Sequence, residues 1–243
     1  MKYNDIFINY VEYGEKSKKT IVLLHGWGQN IEMMKPIGDA LSNKYHIVII
    51  DLPGFGSSDE PKTAYTIYDY YDVVKYVLDK LKIKNPVMCG HSFGGRISII
   101  YSALEKVDKL ILLSAPFKKR IEKLSLKVKI LKSLKKVPLL NKLEGFAKKH
   151  IGSTDYKNSS EIMRKILVNT VNTDLEEYVK KIKCSTILIA GEFDTAVPLD
   201  EMKEYENLIE DSALIVYPNA THYAYLENLG QTVSIIDNLC KNK

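Results

Sequence analysis

Pro86-Val87-Met88-Cys89-Gly90-His91-Ser92-Phe93-Gly94-Gly95, followed by Arg96-Ile97-Ser98-Ile99-Ile100-Tyr101, is the stretch that decides the fold. A short apolar run of buried-strand length ends at a glycine, and helical character begins directly after Ser92. Between the two, Gly90-His91-Ser92-Phe93-Gly94 has the form G-x-S-x-G. A side chain on so sharp a strand-to-helix turn sits in strained backbone, so its neighbours two positions away must be small. The turn lifts the hydroxyl clear of a sheet and aims it at a helix N-terminus, where N–H groups and the dipole favour developing negative charge. A purely structural Gly-Ser-Gly turn would also fit these five residues. The flanking strand, the helix and the partners found further along the chain favour a nucleophile, Ser92.

Working outward, short apolar runs alternate with helical ones. An opening pair of strands is read at 6–12, a buried strand at 20–24, a helix near 34–42 and a strand at 45–50. Asp51-Leu52-Pro53-Gly54-Phe55-Gly56 is a loop by its Pro and Gly content. The stretch 66–81 reads as a helix, opened by Thr66 with Asp69 three residues on and carried by Tyr70, Val73, Val74, Val77 and Leu81. Strands are expected at 86–89 and 110–113, with a helix over 93–104 between them. The alternation then stops and resumes with a strand at 186–190, a helix near 199–209, a strand at 213–217 and a helix over 225–239. Strands alternating with helices imply an α/β fold, a mostly parallel sheet covered on both faces. The core would comprise 1–116 and 184–243. Residues 117–183 would be a helical insertion after the sixth strand, with Leu124, Val128, Leu131 and Leu134 at helical spacing and Pro138 as a breaker.

A serine hydroxyl needs a base to become a nucleophile at neutral pH. Among five histidines, His25 precedes a glycine turn, His46 opens a strand, His91 belongs to the Ser92 turn and His150 lies in the insertion. His222 follows the 213–217 strand in the loop Pro218-Asn219-Ala220-Thr221, at the carboxyl edge of a late strand, as Ser92 is. It is the expected base. Asp194, just past the 186–190 strand, is the expected partner that fixes its tautomer. Glu192 competes, and Asp174 and Asp200 are weaker because they sit on expected helices. The order Ser92, Asp194, His222 differs from that of chymotrypsin and of subtilisin. An oxyanion would rest on the backbone N–H groups of Phe93 and Trp27, the latter in His25-Gly26-Trp27-Gly28 after the 20–24 strand. The Trp27 ring, Phe93, Phe117, Val197 and Tyr223 are the candidate substrate-pocket residues. No cofactor and no metal is called for.

The 243 residues, 45% hydrophobic and 27% charged, are ordinary for a globular chain with a sizeable core. The apolar runs are too short to span a bilayer, and residues 1–10 hold no signal-like stretch, so a cytoplasmic protein is expected. Cys89, Cys184 and Cys240 have neither pairing nor metal-like spacing and read as reduced thiols. The net charge of +5 is unevenly spread: 117–183 carries +11, leaving −6 elsewhere. A solvated lysine-rich face explains this, and an acidic partner would too. Nucleic acid is not favoured, since no recognised binding motif accompanies the lysines.

Taken together, His25-Gly26-Trp27-Gly28, Asp51-Leu52-Pro53-Gly54-Phe55-Gly56-Ser57-Ser58, Gly90-His91-Ser92-Phe93-Gly94-Gly95, Gly191-Glu192-Phe193-Asp194 with Val197-Pro198, and His222 followed by Glu227 resemble the landmarks of the α/β-hydrolase superfamily, in order. The family usually has proline two positions after that glutamate; here it is Leu229. The resemblance implies an α/β-hydrolase fold with a helical cap at 117–183 over the site. Serine at position 92 argues against the haloalkane dehalogenase and epoxide hydrolase relatives, which need a carboxylate nucleophile. What it implies for function is hydrolysis of a carboxylic ester or thioester through an acyl-enzyme on Ser92. Partial similarity to pimeloyl-carrier methyl esterases adds an acidic carrier protein as a possible partner of the basic cap. Carbon–carbon bond hydrolases or lyases share the same residues, and a non-catalytic small-ligand receptor on this fold is the alternative of another class.

Overall fold

A computed structural model of the chain describes residues 1–119 and 159–241. Strands β1 (Lys2–Tyr3) and β2 (Ile6–Phe7) form a small antiparallel hairpin. A seven-stranded sheet follows, built from β3 (Tyr10–Tyr13), β4 (Thr20–Leu24), β5 (His46–Ile50), β6 (Val87–His91), β7 (Lys109–Leu113), β8 (Thr186–Gly191) and β9 (Ser212–Tyr217). Its order is β3-β5-β4-β6-β7-β8-β9, and only β3 runs antiparallel to its neighbour. The opening pair expected at 6–12 divides differently. Asn4 and Asp5 adopt positive φ (44° and 64°) and turn Ile6 back onto Tyr3, while 10–13 joins the main sheet beside β5.

Alternation along the strands sorts side chains onto two cores. Val22, Leu24, Val48, Ile50 and Met88 face the core shared with helices α2 (Ile67–Lys80) and α3 (Phe93–Leu104). Ile21, Leu23, Ile47, Ile49, Val87 and Cys89 face the opposite core, shared with α1 (Ile31–Leu41) and the last helix. With both faces covered, β5, β6 and β7 are buried throughout, which is why they read as continuous apolar runs. Fully burying each such aliphatic side chain contributes about 1.5–3 kcal/mol.

Helix α2 starts as its sequence implies. The Thr66 hydroxyl accepts the Asp69 N–H, and the Asp69 carboxylate accepts the Thr66 N–H. The stretch read as one helix over 225–239 is two, α7 (Ala224–Glu227) and α8 (Leu229–Lys241), separated at Asn228. The Glu227 carboxylate folds back to accept the N–H and hydroxyl of Thr221, and Asn228 leaves helical backbone directly after it.

Between β7 and β8 lie α4 (Glu161–Val171) and α5 (Glu176–Val179). Leu124, Val128, Leu131, Leu134, Pro138 and His150 fall outside the described residues. Two polar clamps hold the described flanks to the core. Arg96, buried on α3, donates to the carbonyls of Pro116, Thr170 and Thr173, the last two at the C-terminal end of α4. Glu201, in the first turn of α6 (Leu199–Leu208), accepts the N–H groups of Phe117 and Lys118, both at 2.9 Å.

Candidate active site

Strand order reverses about β4: β5 lies on one side of it and β6 on the other. Crevices beyond the carboxyl ends of parallel strands at such a reversal are where open α/β sheets place their sites. The loops leaving β4, β6, β8 and β9 carry Trp27, Ser92, Asp194 and His222, so all four emerge at that one edge.

Ser92 has φ 49° and ψ −106°, a conformation that costs a non-glycine residue on the order of 1–3 kcal/mol. The turn is held on both sides. The Ser92 N–H donates to the Leu113 carbonyl at 2.9 Å, and its own carbonyl accepts the Arg96 N–H at 3.1 Å. The Ser92 side chain caps no helical N–H. The crowding argued from the motif is present: a Cβ on Gly90 would strike the Gly94 carbonyl, and one on Gly94 would strike the carbonyls of Leu24 and His25.

His222 Nδ1 lies 2.8 Å from Asp194 Oδ2. A carboxylate only accepts, so Nδ1 carries the proton, leaving Nε2 as the ring's free basic atom when neutral. The other Asp194 oxygen accepts the N–H groups of Ala196 (2.7 Å) and Val197 (2.9 Å). The Asp194 side chain is 1% exposed and that of His222 is 19% exposed. Burial alone would raise the Asp194 carboxyl, but the His222 hydrogen bond and the two N–H donors outweigh it and hold it below its usual range. Glu192 instead accepts the Asn219 N–H and braces the loop before His222. Asp174 accepts the N–H groups of Lys119 and Glu176, and Asp200 lies in the first turn of α6.

Trp27 and Phe93 meet beside Ser92, their rings 5.3 Å apart and edge-on, with Phe55 packed against both. The Gly94 N–H donates to the His25 carbonyl at 3.0 Å and fastens the Trp27 loop to the turn. Among the described residues, neither the Trp27 nor the Phe93 N–H is given to another protein acceptor outside its own helix. Of the other candidate pocket residues, Tyr223 is 42% exposed on the rim next to His222. Val197 is buried, its N–H on Asp194. Phe117 is buried against the Tyr205 ring at 4.6 Å.

Two further histidines lie beneath this edge, both fully buried. His25 Nδ1 donates to the Gly26 carbonyl and its Nε2 accepts the Leu52 N–H. Burial lowers its pKa to about 4, and that of His91 to about 3, so both rings are neutral at pH 7. His46 sits at the far end of β5 between Thr20 and Glu12. Asp51 opens the Pro- and Gly-rich loop after β5, and its buried carboxylate accepts Ile31 N–H, Ser57 N–H and the Asn9 amide, and so fixes the loop under Phe55. Its place directly after a buried strand and before Pro-Gly was the available signal. Among the described residues, no three of His, Cys, Asp and Glu come together to hold a metal ion. No helix among them is long and apolar enough to cross a membrane.

Residues 19–138 match the family model described as alpha/beta hydrolase fold. The chain is 27% identical over 254 residues to the AB hydrolase superfamily protein YisY of Bacillus subtilis, covering 95% of this chain and 93% of that one. It is 26% identical over 237 residues to the pimeloyl-[acyl-carrier protein] methyl ester esterase of Aliivibrio fischeri, covering 88% and 90%. Its fold matches that of the enol-lactonase from Burkholderia xenovorans with a TM-score of 0.77 at 20% identity, over 98% of each chain. The chain therefore has the α/β-hydrolase fold, the family model for that fold matches 120 of its 243 residues, and like its relatives it is a hydrolase.

Proposed function

We propose that this hydrolase cleaves a carboxylic ester, or a thioester, through an acyl-enzyme on Ser92. The observation that carries the reading is the 2.8 Å Asp194–His222 hydrogen bond at the sheet edge where Ser92 stands in strained backbone. In the proposed reaction Ser92 Oγ attacks the carbonyl carbon while its proton passes to His222 Nε2. The resulting oxyanion takes hydrogen bonds from the Trp27 and Phe93 N–H groups, each contributing about 3–4 kcal/mol. Collapse breaks the bond to the leaving alkoxide or thiolate, which receives the His222 proton. Water then gives a proton to His222, adds to the acyl carbon and frees the acid, and the proton returns to Ser92. Asp194 keeps its charge throughout and holds the imidazolium. The aromatic wall of Trp27, Phe55 and Phe93 favours an apolar acyl group. Turnover of p-nitrophenyl esters of graded chain length by wild type and Ser92→Ala tests this reading; equal rates in both proteins would overturn it.

The basic balance of 117–183, with Lys181 and Lys183 exposed on its return to the core, favours an acidic carrier protein as the bearer of the acyl group. The esterase relative of Aliivibrio fischeri, whose name includes such a carrier, is consistent with it. Reversing Lys181 and Lys183 to glutamate should slow hydrolysis of carrier-bound ester and spare p-nitrophenyl esters. Equal loss on both substrates counts against the carrier.

A further inference from the structure

Three parts of the proposed centre meet at one buried ring. His91 directly precedes Ser92, and its two ring nitrogens reach different loops. Nε2 lies 3.1 Å from the main-chain carbonyl oxygen of His222. Nδ1 lies 3.2 Å from Gln29 Oε1. That same oxygen accepts the Gly26 N–H at 2.9 Å, which settles the orientation of the Gln29 amide because its NH2 group could not accept. The His91 ring also packs on those of His222, Tyr223 and Tyr225, at 4.8, 5.6 and 4.8 Å.

Both atoms facing the ring are therefore acceptors, and a neutral imidazole carries one N–H. One contact is a hydrogen bond and the other sets two lone pairs against each other. With its proton on Nε2 the ring holds the His222 main chain; with it on Nδ1 the ring holds the loop that leads into Trp27. The charged and titratable groups nearest the ring are His222, Asp194 and His25, with Tyr223 and Tyr225 at its face.

We propose that His91 is a positioning residue: its single ring proton, given either to the His222 carbonyl or to the Gln29 amide oxygen, ties one of the two loops to the Ser92 turn at a time, while its packing on the His222, Tyr223 and Tyr225 rings holds the base loop in both tautomers. The inference rests on the hydrolase reading above. A misplacement on the order of 1 Å at such a centre costs about 10²-fold in rate, so the ring's removal should be felt in kcat more than in KM.

The test is p-nitrophenyl butyrate hydrolysis across pH by wild type, H91L, H91Q and Q29L, with rates expressed per site labelled by a fluorophosphonate. H91L should lower kcat at least tenfold, hold KM within twofold, and move the acid limb of the kcat/KM profile, which reports protonation of the base. H91Q, which keeps an N–H within reach of the carbonyl, should recover most of the loss. Q29L should lower kcat three- to fivefold and move the same limb. A merely structural role would lower Tm and the labelled fraction but leave the per-site rate and the limb alone; that result, or a glutamine as slow as leucine, overturns the proposal. Should H91L not accumulate folded, Q29L decides, and an unmoved limb with kcat within 1.5-fold overturns it. Turnover lost in S92A but untouched in H91L sinks only this inference, whereas turnover untouched in S92A sinks the hydrolase reading itself.

Discussion

Histidine builds both the floor beneath Ser92 and the rim beside it, to opposite ends. On the floor, His25 and His91 are fully buried and face main-chain groups and one amide, and burial keeps them neutral. On the rim, His222 is part-exposed and its Nδ1 meets a buried carboxylate that two N–H groups already hold in the charged form. One residue type thus serves as a fixed strut where its hydrogen-bond partners are neutral, and in the proposed reaction as a proton carrier where an anion and an opening to solvent meet. What separates the two is the partner, since all three stand at the same edge of one sheet.

The largest way to break that contrast is at the rim. Ser92→Ala or His222→Ala should lower ester kcat/KM by at least about 10⁴-fold, and the double variant should be no slower than the worse single one, because the two act as a unit. Progress curves with p-nitrophenyl acetate check both statements. Asp194→Asn should cost about 10³-fold or more, since the amide no longer dictates which ring nitrogen of His222 is protonated. A loss under tenfold would remove Asp194 from its proposed role.

The floor should be felt in stability against acid. Both rings are neutral when folded, while in the unfolded chain their pKa is about 6.5. The unfolded state therefore binds more protons below that value. Stability is fully present above about pH 6.5 and is lost as pH falls toward the folded values of about 4 and about 3. Each histidine contributes a slope of about 1.4 kcal/mol per pH unit in that window. Urea midpoints measured from pH 7 to pH 4.5 should show it, and His91→Gln should reduce the slope by about that one-histidine share.

A smaller effect lies far from the site. Asp237 on α8 is held well below the usual carboxylate range by Lys241 and Lys44, with Tyr45 donating to it. Its contribution is present above about pH 4, the unfolded value, and disappears as pH falls through the folded one. Asp237→Asn should therefore lower Tm by a few degrees at pH 7, roughly 1 kcal/mol, and the gap between variant and wild type should close toward pH 2. A gap independent of pH would assign the loss to packing.

Much of this was legible in the chain. The Ser92 turn announces itself because backbone crowding leaves only glycine at positions 90 and 94. The 66–81 helix shows its cap and its stripe. The strands of the sheet show as apolar runs because both their faces are covered. The hairpin at Asn4-Asp5 and the break at Asn228 were not legible, since each depends on which distant group a turn or a carboxylate finds. His91 was invisible for the same reason: its partners stand 62 and 131 residues away.

By itself, then, the sequence determined the sheet-and-helix alternation, the strained serine and the order of its candidate partners, because these follow from local sterics and periodicity. Tertiary structure alone decided that Asp194 rather than Glu192 meets His222, and that His25 and His91 are neutral struts. Those outcomes depend on hydrogen bonds between loops leaving different strands. The length of a loop does not encode its direction, and burial acts on a group only once the rest of the chain has closed around it.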